Sequence, residues 1–299
     1  MKRPTPMLKT ETPSPEHTQL DQYAVDELVS AFVEDQHHAV NAVRAAGAQI
    51  AAAVTAAVPR IEAGGRLIYI GAGTSGRLGL LDSVELYPTF SWPRDRAIAL
   101  LAGGPQAMYE AIEGAEDSPG QGSADVMTVS TGPRDVVLLL AASGTTPYVM
   151  GALAAARDVG ALTIGIANNP DSPLAQQAEL GITLDTGSEL ISGSTRLKAG
   201  TAQKIALNTF SSALMVRLNK VYGNLMVDLK PTNAKLIRRT INLTMLATGA
   251  DEAVARTTLE ACDFHVKVAI VAIKTNTSIG DAQQRLAHAH GSVRLAIAE

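Results

Sequence analysis

The stretch Arg66-Leu-Ile-Tyr-Ile-Gly-Ala-Gly-Thr-Ser-Gly-Arg-Leu-Gly79 runs a short apolar segment straight into a loop with four glycines and two adjacent hydroxyls. The apolar segment reads as a strand and the residues after the loop as a helix. Glycines let the backbone turn sharply and approach an anion, Thr74 and Ser75 add hydroxyl donors, and a following helix aims its free N–H groups at the same point. A strand, a phosphate cradle and a helix in that order define the first unit of an α/β fold.

Working outward, four further apolar runs at 97–101, 135–141, 162–167 and 181–184 end in Gly, Ser, Asn or Asp, and helical segments follow the first four of the five runs. That alternation predicts a parallel sheet covered by helices on both faces. Ligands of such sheets bind beyond the carboxyl ends of the strands. Two more hydroxyl-rich loops fall there: Ala141-Ala-Ser-Gly-Thr-Thr-Pro147 after the third run, and Gly187-Ser-Glu-Leu-Ile-Ser-Gly-Ser-Thr-Arg-Leu-Lys-Ala-Gly-Thr201 after the fifth. Ser and Thr cap helices routinely. Three such loops along one sheet edge favour a site for a phosphorylated polyol.

The spacing Gly71-x-Gly73-x-x-Gly76 also fits a dinucleotide fingerprint, which requires a carboxylate about 20 residues on, at the end of the next strand. Ala97-Ile-Ala-Leu-Leu101 instead ends in Ala102-Gly103-Gly104, and no Gly-x-x-x-x-Gly-Lys-Ser/Thr motif occurs. A cradle without that lysine suits a monophosphate better than a nucleoside triphosphate. The alternative reading of the loop is a tight turn between strand and helix that binds nothing.

The rest of the chain divides into an N-terminal arm (1–22), a domain at 23–230 and a C-terminal domain at 231–299. The arm is rich in Thr, Pro, Glu and Gln, too polar for a core element, and is expected to be loose or docked on a surface. Tyr23 to Val58 is Ala-rich with apolar residues at helical spacing, and a long helix is predicted from Lys198 to Val221 with Leu207, Phe210, Leu214 and Leu218 on one stripe. Lys230-Pro-Thr-Asn233 breaks the pattern. Beyond it only short helices are predicted, such as Ala250–Ala261 and Phe264–Lys274.

A net charge of −4 and a pI near 5.9 argue against a polyanion-binding surface, so nucleic acid is not an expected partner. The longest apolar run, Val136 to Ala142, is far short of a membrane span, and the first residues lack an apolar signal segment. A cytoplasmic protein without a membrane partner is expected. The single cysteine, Cys262, excludes an internal disulfide and a thiolate metal cage, and it reads as a small buried hydrophobe. His37 and His38 diverge on a helix, and His288-Ala-His290 lacks the four-residue spacing of helical ligands, so no metal site is expected. No Gly-x-Ser-x-Gly elbow supports serine catalysis. Two carboxylates, Glu85 and Glu116, stand at the far end of the first helix and after the second strand. By spacing alone they read as exposed acidic faces.

The segment Gly187–Lys204 resembles the signature shared by N-acetylmuramic acid 6-phosphate etherases and the glucokinase regulatory protein. Gly71–Gly79, Glu113-Gly-Ala-Glu-Asp-Ser118, Ala141-Ala-Ser-Gly144 and Lys220-Val-Tyr-Gly-Asn-Leu-Met-Val-Asp228 also resemble the etherases. The resemblance spans nearly the whole chain. It implies a sugar isomerase (SIS) type α/β/α sandwich with a five-stranded parallel sheet, a small all-helical C-terminal domain, a homodimer, a phosphosugar substrate and no cofactor. It further implies Glu85 as proton donor and Glu116 as the second catalytic group, with Thr74, Ser75, Ser143, Thr146 and Ser194 holding phosphate and sugar hydroxyls and Glu113 touching the sugar. Four positions depart from the etherase pattern: Thr145 stands where arginine is common, Leu86-Tyr87 replaces Cys-Pro, and Ser188 replaces Pro or Ala. A regulatory phosphosugar sensor or an aldose–ketose isomerase of the same fold are the competing readings, and only the etherase releases lactate.

Overall fold

The computed structural model describes residues 7–231 and 233–298; the first six residues of the arm and Thr232 of the predicted break lie outside them. Three helices open the chain, α1 (Val25–Asp35), α2 (His37–Ala45) and α3 (Gly47–Glu62). There follow β1 (Leu67–Gly71), α4 (Gly73–Phe90), β2 (Ala97–Leu101), α5 (Pro119–Thr128), β3 (Val136–Leu140), α6 (Pro147–Asp158), β4 (Leu162–Ala167), α7 (Pro173–Gln177), β5 (Leu180–Thr183) and α8 (Lys198–Arg217). A two-residue-per-strand hairpin, β6 (Val221–Tyr222) and β7 (Leu225–Met226), leads to α9 (Ala234–Thr248), α10 (Glu252–Ala261), α11 (Val266–Thr275), α12 (Ile279–His288) and α13 (Val293–Ala298).

All five predicted strands form, within a residue of their expected bounds, as one parallel sheet in the order β2-β1-β3-β4-β5. Reversal of strand order between β1 and β3 makes their carboxyl ends the place where loops diverge and a ligand can enter. Alternate residues of the central strands feed opposite layers. Ile68, Ile70, Val137 and Leu139 pack with Tyr148, Val149, Ala152 and Leu153 of α6 and Val126 of α5. On the other face the Tyr69 hydroxyl donates to Asp82 of α4 at 2.9 Å, and Ser211 of α8 donates to the same carboxylate at 3.2 Å. Helices α5 and α6 meet backbone to backbone, because a Cβ on Gly122 would overlap the Tyr148 carbonyl and one on Gly151 the Pro119 carbonyl.

Asp135, just before β3, ties the amino ends of the two central strands together. It accepts the N–H groups of Arg66 and Gly132, each at 2.9 Å, and the Arg66 guanidinium at 2.7 and 3.1 Å. Burial alone would raise this carboxyl, but those hydrogen bonds outweigh it and hold it below the usual range. Asp135→Ala is therefore expected to lower stability by about 1–3 kcal/mol, since it strands partly buried donors, one of them charged. A depressed carboxylate pKa contributes stability that is present above 3.8 and lost as pH falls through the lower folded value. Urea melts across the acid range check both, and a variant melting like the parent at neutral pH would contradict them.

Two segments differ from expectation. The helical stretch from Tyr23 bends by 53° between α2 and α3, where Ala46 leaves helical geometry ahead of Gly47, and α3 runs on through Pro59. The long helix stops at Arg217 rather than Val221, because Asn219 takes φ +59° and the Lys220 N–H turns back to the Met215 carbonyl at 3.0 Å. The segment between β2 and α5 is irregular, with single turns at Pro105–Met108 and Ala115–Asp117 and Gly114 left-handed at φ +71°. By compactness the chain divides into Met1–Ser83 with Asp95–Ser211, and Val84–Arg94 with Ser212–Glu299. The second unit has its own core of Ile241, Leu259, Val266, Ile270 and Leu286. Cys262 lies in that core, its thiol pushed up by burial. Asp228 holds both Lys220 (2.7 Å) and Lys267 (2.9 Å), fastening the hairpin to α11. Among the described residues, no single helix is long and apolar enough to cross a membrane.

Candidate active site

A cleft of about 360 Å³ opens at the carboxyl ends of β1 and β3. Its floor is the turn into α4. The Gly76 N–H already bonds the Ala72 carbonyl, so the N–H groups of Gly73, Thr74 and Ser75 have no intrahelical acceptor. The turn is this tight because Gly71 and Gly76 touch: a Cβ on Gly71 would stand 2.7 Å from the Gly76 nitrogen. These are two of the three fingerprint glycines, here packing helix against strand without any nucleotide feature.

The second wall is the turn into α6. Gly144 is left-handed at φ +70°, Pro147 occupies the first helical position, and Thr146 precedes it without capping the helix through its side chain. The Thr146 hydroxyl lies 3.5 Å from that of Ser143, which in turn accepts the Thr145 N–H at 3.2 Å. Two helix N-termini therefore border one cleft with hydroxyls between them. Each such terminus favours an anion by roughly 0.3–1 kcal/mol, more where partly buried. Among the described residues the lining holds no Lys, Arg or His, but it does hold Glu11, Glu116 and Asp117. An anion here is held by neutral donors, beside carboxylates able to accept hydrogen bonds or move protons. No cluster of His, Cys, Asp and Glu suited to a metal occurs among the described residues.

Of the residues singled out in the sequence, Thr74, Ser75, Ser143, Thr146 and Glu116 share this cleft. Thr145, at the position where arginine is common, lines it as well. Ser194 is not on the lining; its neighbour Thr195 is. Glu113 is exposed on the loop before the Ala115–Asp117 turn. Glu85 is exposed on α4 and is not on the lining of this cleft. Asp117, Thr195 and Glu11 were not expected. The first two are sequence neighbours of residues that were, and spacing cannot tell which of two adjacent side chains faces in. Arg77, in the first glycine motif, donates to the carbonyls of Ala107 (2.9 Å) and Glu110 (3.2 Å) and so fixes the loop leading to Glu116.

The third loop is organised by buried polar groups. Asn168, at the end of β4, donates to the carbonyls of Leu184 and Ala199, each at 3.3 Å, and accepts from Gln203 at 2.9 Å. Glu189 is fully buried and caps α8, accepting the N–H groups of Ala199 (2.9 Å) and Lys198 (3.2 Å). Burial pushes its carboxyl up, against the pull of those two donors. Lys198 itself pairs with Asp35 at 2.6 Å, both side chains nearly inaccessible. Glu189→Ala is expected to cost about 2–3 kcal/mol through two orphaned N–H groups, with Glu189→Gln recovering most of it. Equal melting temperatures for the Ala variant and the parent would refute this role.

Residues 49–157 match the model of the glucokinase regulatory protein N-terminal SIS domain, and residues 119–213 match that of the SIS domain. The chain is 55% identical to an N-acetylmuramic acid 6-phosphate etherase of Deinococcus radiodurans, over 97% of this chain and 95% of that protein. Proteins of the same name from Pectobacterium atrosepticum (48%, covering 97% and 96%) and Mycolicibacterium smegmatis (46%, covering 97% of each) are similar over the same extent.

Proposed function

The chain belongs to the N-acetylmuramic acid 6-phosphate etherase family, and on that premise we propose that the cleft holds the sugar 6-phosphate while Glu116 and Glu85 act as its base and acid. The reaction is cleavage of the D-lactyl ether, giving N-acetylglucosamine 6-phosphate and D-lactate. What carries the assignment is one observation: Glu116 shares a single cleft with the hydroxyls of Thr74, Ser75, Ser143 and Thr146.

An alkyl ether is a poor leaving group. In the open-chain sugar, however, the C2 hydrogen lies α to the C1 aldehyde and can be removed. Glu116 takes that proton, Glu85 protonates the lactyl oxygen as it leaves C3, and water then adds back at C3. Each group supplies roughly 10²- to 10⁴-fold. The phosphate is held by the free N–H groups of α4 and the surrounding hydroxyls, which orients C2 and C3 without a cation. Ser194 and Glu113 complete the sugar contacts in this reading. The domain limits 23–230 and 231–299, cytoplasmic residence and a homodimer belong to it too; a sedimentation coefficient of a monomer would contradict the last.

Incubating the protein with N-acetylmuramic acid 6-phosphate and assaying D-lactate tests the reading. No lactate from folded protein would sink it.

A further inference from the structure

Part of the N-terminal arm is a strap docked beside the candidate site, with Glu11 on its lining. Lys9–Glu11 forms a single helical turn, and Thr10 at its centre is completely buried. A buried polar residue must be satisfied, and each polar group of Thr10 is. Its N–H donates to Asn169 Oδ1 at 3.3 Å, its hydroxyl accepts from Asn169 Nδ2 at 3.0 Å, and its carbonyl accepts the Gly193 N–H at 3.1 Å. On either side, Lys9 pairs with Asp185 at 2.6 Å and Ser192 donates to the Glu11 carbonyl at 2.7 Å. The strap is thereby stitched to the loops after β4 and β5.

Its outcome is the position of Glu11. That side chain lines the same cleft as Thr74, Ser75, Ser143 and Glu116. Its Oε2 lies 2.9 Å from where a Cβ on Gly193 would stand, and Gly193 is left-handed at φ +77°. The signature glycine therefore leaves room for this carboxylate. No hydrogen bond or ion pair engages the Glu11 side chain among the described residues. An ionised carboxylate only accepts hydrogen bonds, and it repels a phosphate dianion. The groups of a phosphosugar that it can serve are O–H and N–H.

We propose that Glu11, delivered by the strap, is a sugar-binding residue whose carboxylate accepts hydrogen bonds from an O–H or N–H of the bound phosphosugar. The assignment rests on the reading of the cleft as a phosphosugar site. Asn169 and the Thr10 side chain are positioning residues for it.

The test is calorimetric titration of the full chain and its Glu11→Ala and Glu11→Gln variants with N-acetylglucosamine 6-phosphate and with inorganic phosphate. A hydrogen bond to a charged group is worth about 1.5–3 kcal/mol, so Glu11→Ala is expected to weaken the sugar phosphate roughly 10- to 100-fold. Glu11→Gln falls between Ala and the parent, and inorganic phosphate binds all three within about twofold. Sugar phosphate affinity unchanged in Glu11→Ala would overturn the proposal. So would equal losses for both ligands, which would make Glu11 a support of the loop. Failure here is separable from failure of the etherase reading: a parent protein that binds the product but releases no lactate overturns the reaction alone.

Discussion

Glu116→Gln and Glu85→Gln are each expected to bind N-acetylglucosamine 6-phosphate within about threefold of the parent while losing roughly 10²- to 10⁴-fold in lactate release. Glutamine keeps the shape of glutamate but cannot take or deliver the proton. Both positions are exposed, so neither change should move stability by more than about 0.5 kcal/mol. The two variants should also differ from each other. If Glu116 is the base, its variant no longer exchanges the C2 hydrogen with deuterium from solvent. If Glu85 protonates the leaving lactyl oxygen, its variant still exchanges C2 while elimination stalls. Reversed exchange patterns would swap the roles, and a double variant with near-parental turnover would return both residues to the exposed acidic faces that their spacing alone suggests.

The sheet was legible because its signal is local. β1 and β3 are buried on both faces, so each reads as an unbroken apolar run with a glycine-containing turn at its end, and β4 reads as such a run but for Thr163. The bend before α3 was not, since an Ala-rich sequence tolerates both a straight and a bent helix and only packing selects one. The end of α8 turned on Asn219 alone, a single residue in left-handed conformation inside a stretch that is otherwise helix-compatible.

The site divides in the same way. Thr74, Ser75, Ser143 and Thr146 follow strands directly, so the fold carries them to one edge and chain position was enough to find them. Glu11 belongs to a polar arm whose composition resembles a disordered tail. Its docking depends on Thr10 meeting Asn169, 159 residues away, a pairing with no trace in local pattern. Glu189 was read as part of a hydroxyl-rich loop, yet its work is to cap α8 from a fully buried position. Only family resemblance singles out Glu85 and Glu116 as candidates, because an exposed glutamate has no spacing signature that separates catalysis from solvation.

Gly76→Ala is expected to remove phosphosugar binding, by at least 100-fold, and to lower stability by about 3 kcal/mol or more. The added Cβ would overlap Leu101 and stand 2.6 Å from the Gly71 carbonyl oxygen and 2.7 Å from its carbon. Leu101 can rotate aside, but Gly71 cannot. It sits in β1, paired on both sides with β2 and β3, so the first turn of α4 must move instead. That turn carries the Gly73, Thr74 and Ser75 N–H groups, and hydrogen bonds to an anion weaken steeply when donors shift or tilt. Overpacking elsewhere in a core costs about 1–3 kcal/mol; here the obstacle is backbone in the middle of a sheet, which puts the cost at the upper end. Gly73→Ala separates this steric effect from ordinary glycine freedom. Gly73 has φ +51° but nothing within 4 Å of its Cβ position, so alanine there pays only the left-handed penalty of about 1–2 kcal/mol. Thermal melts and product titrations of the two variants side by side decide the matter. If Gly76→Ala melts and binds like the parent, the close contact between β1 and α4 is not what shapes the cradle.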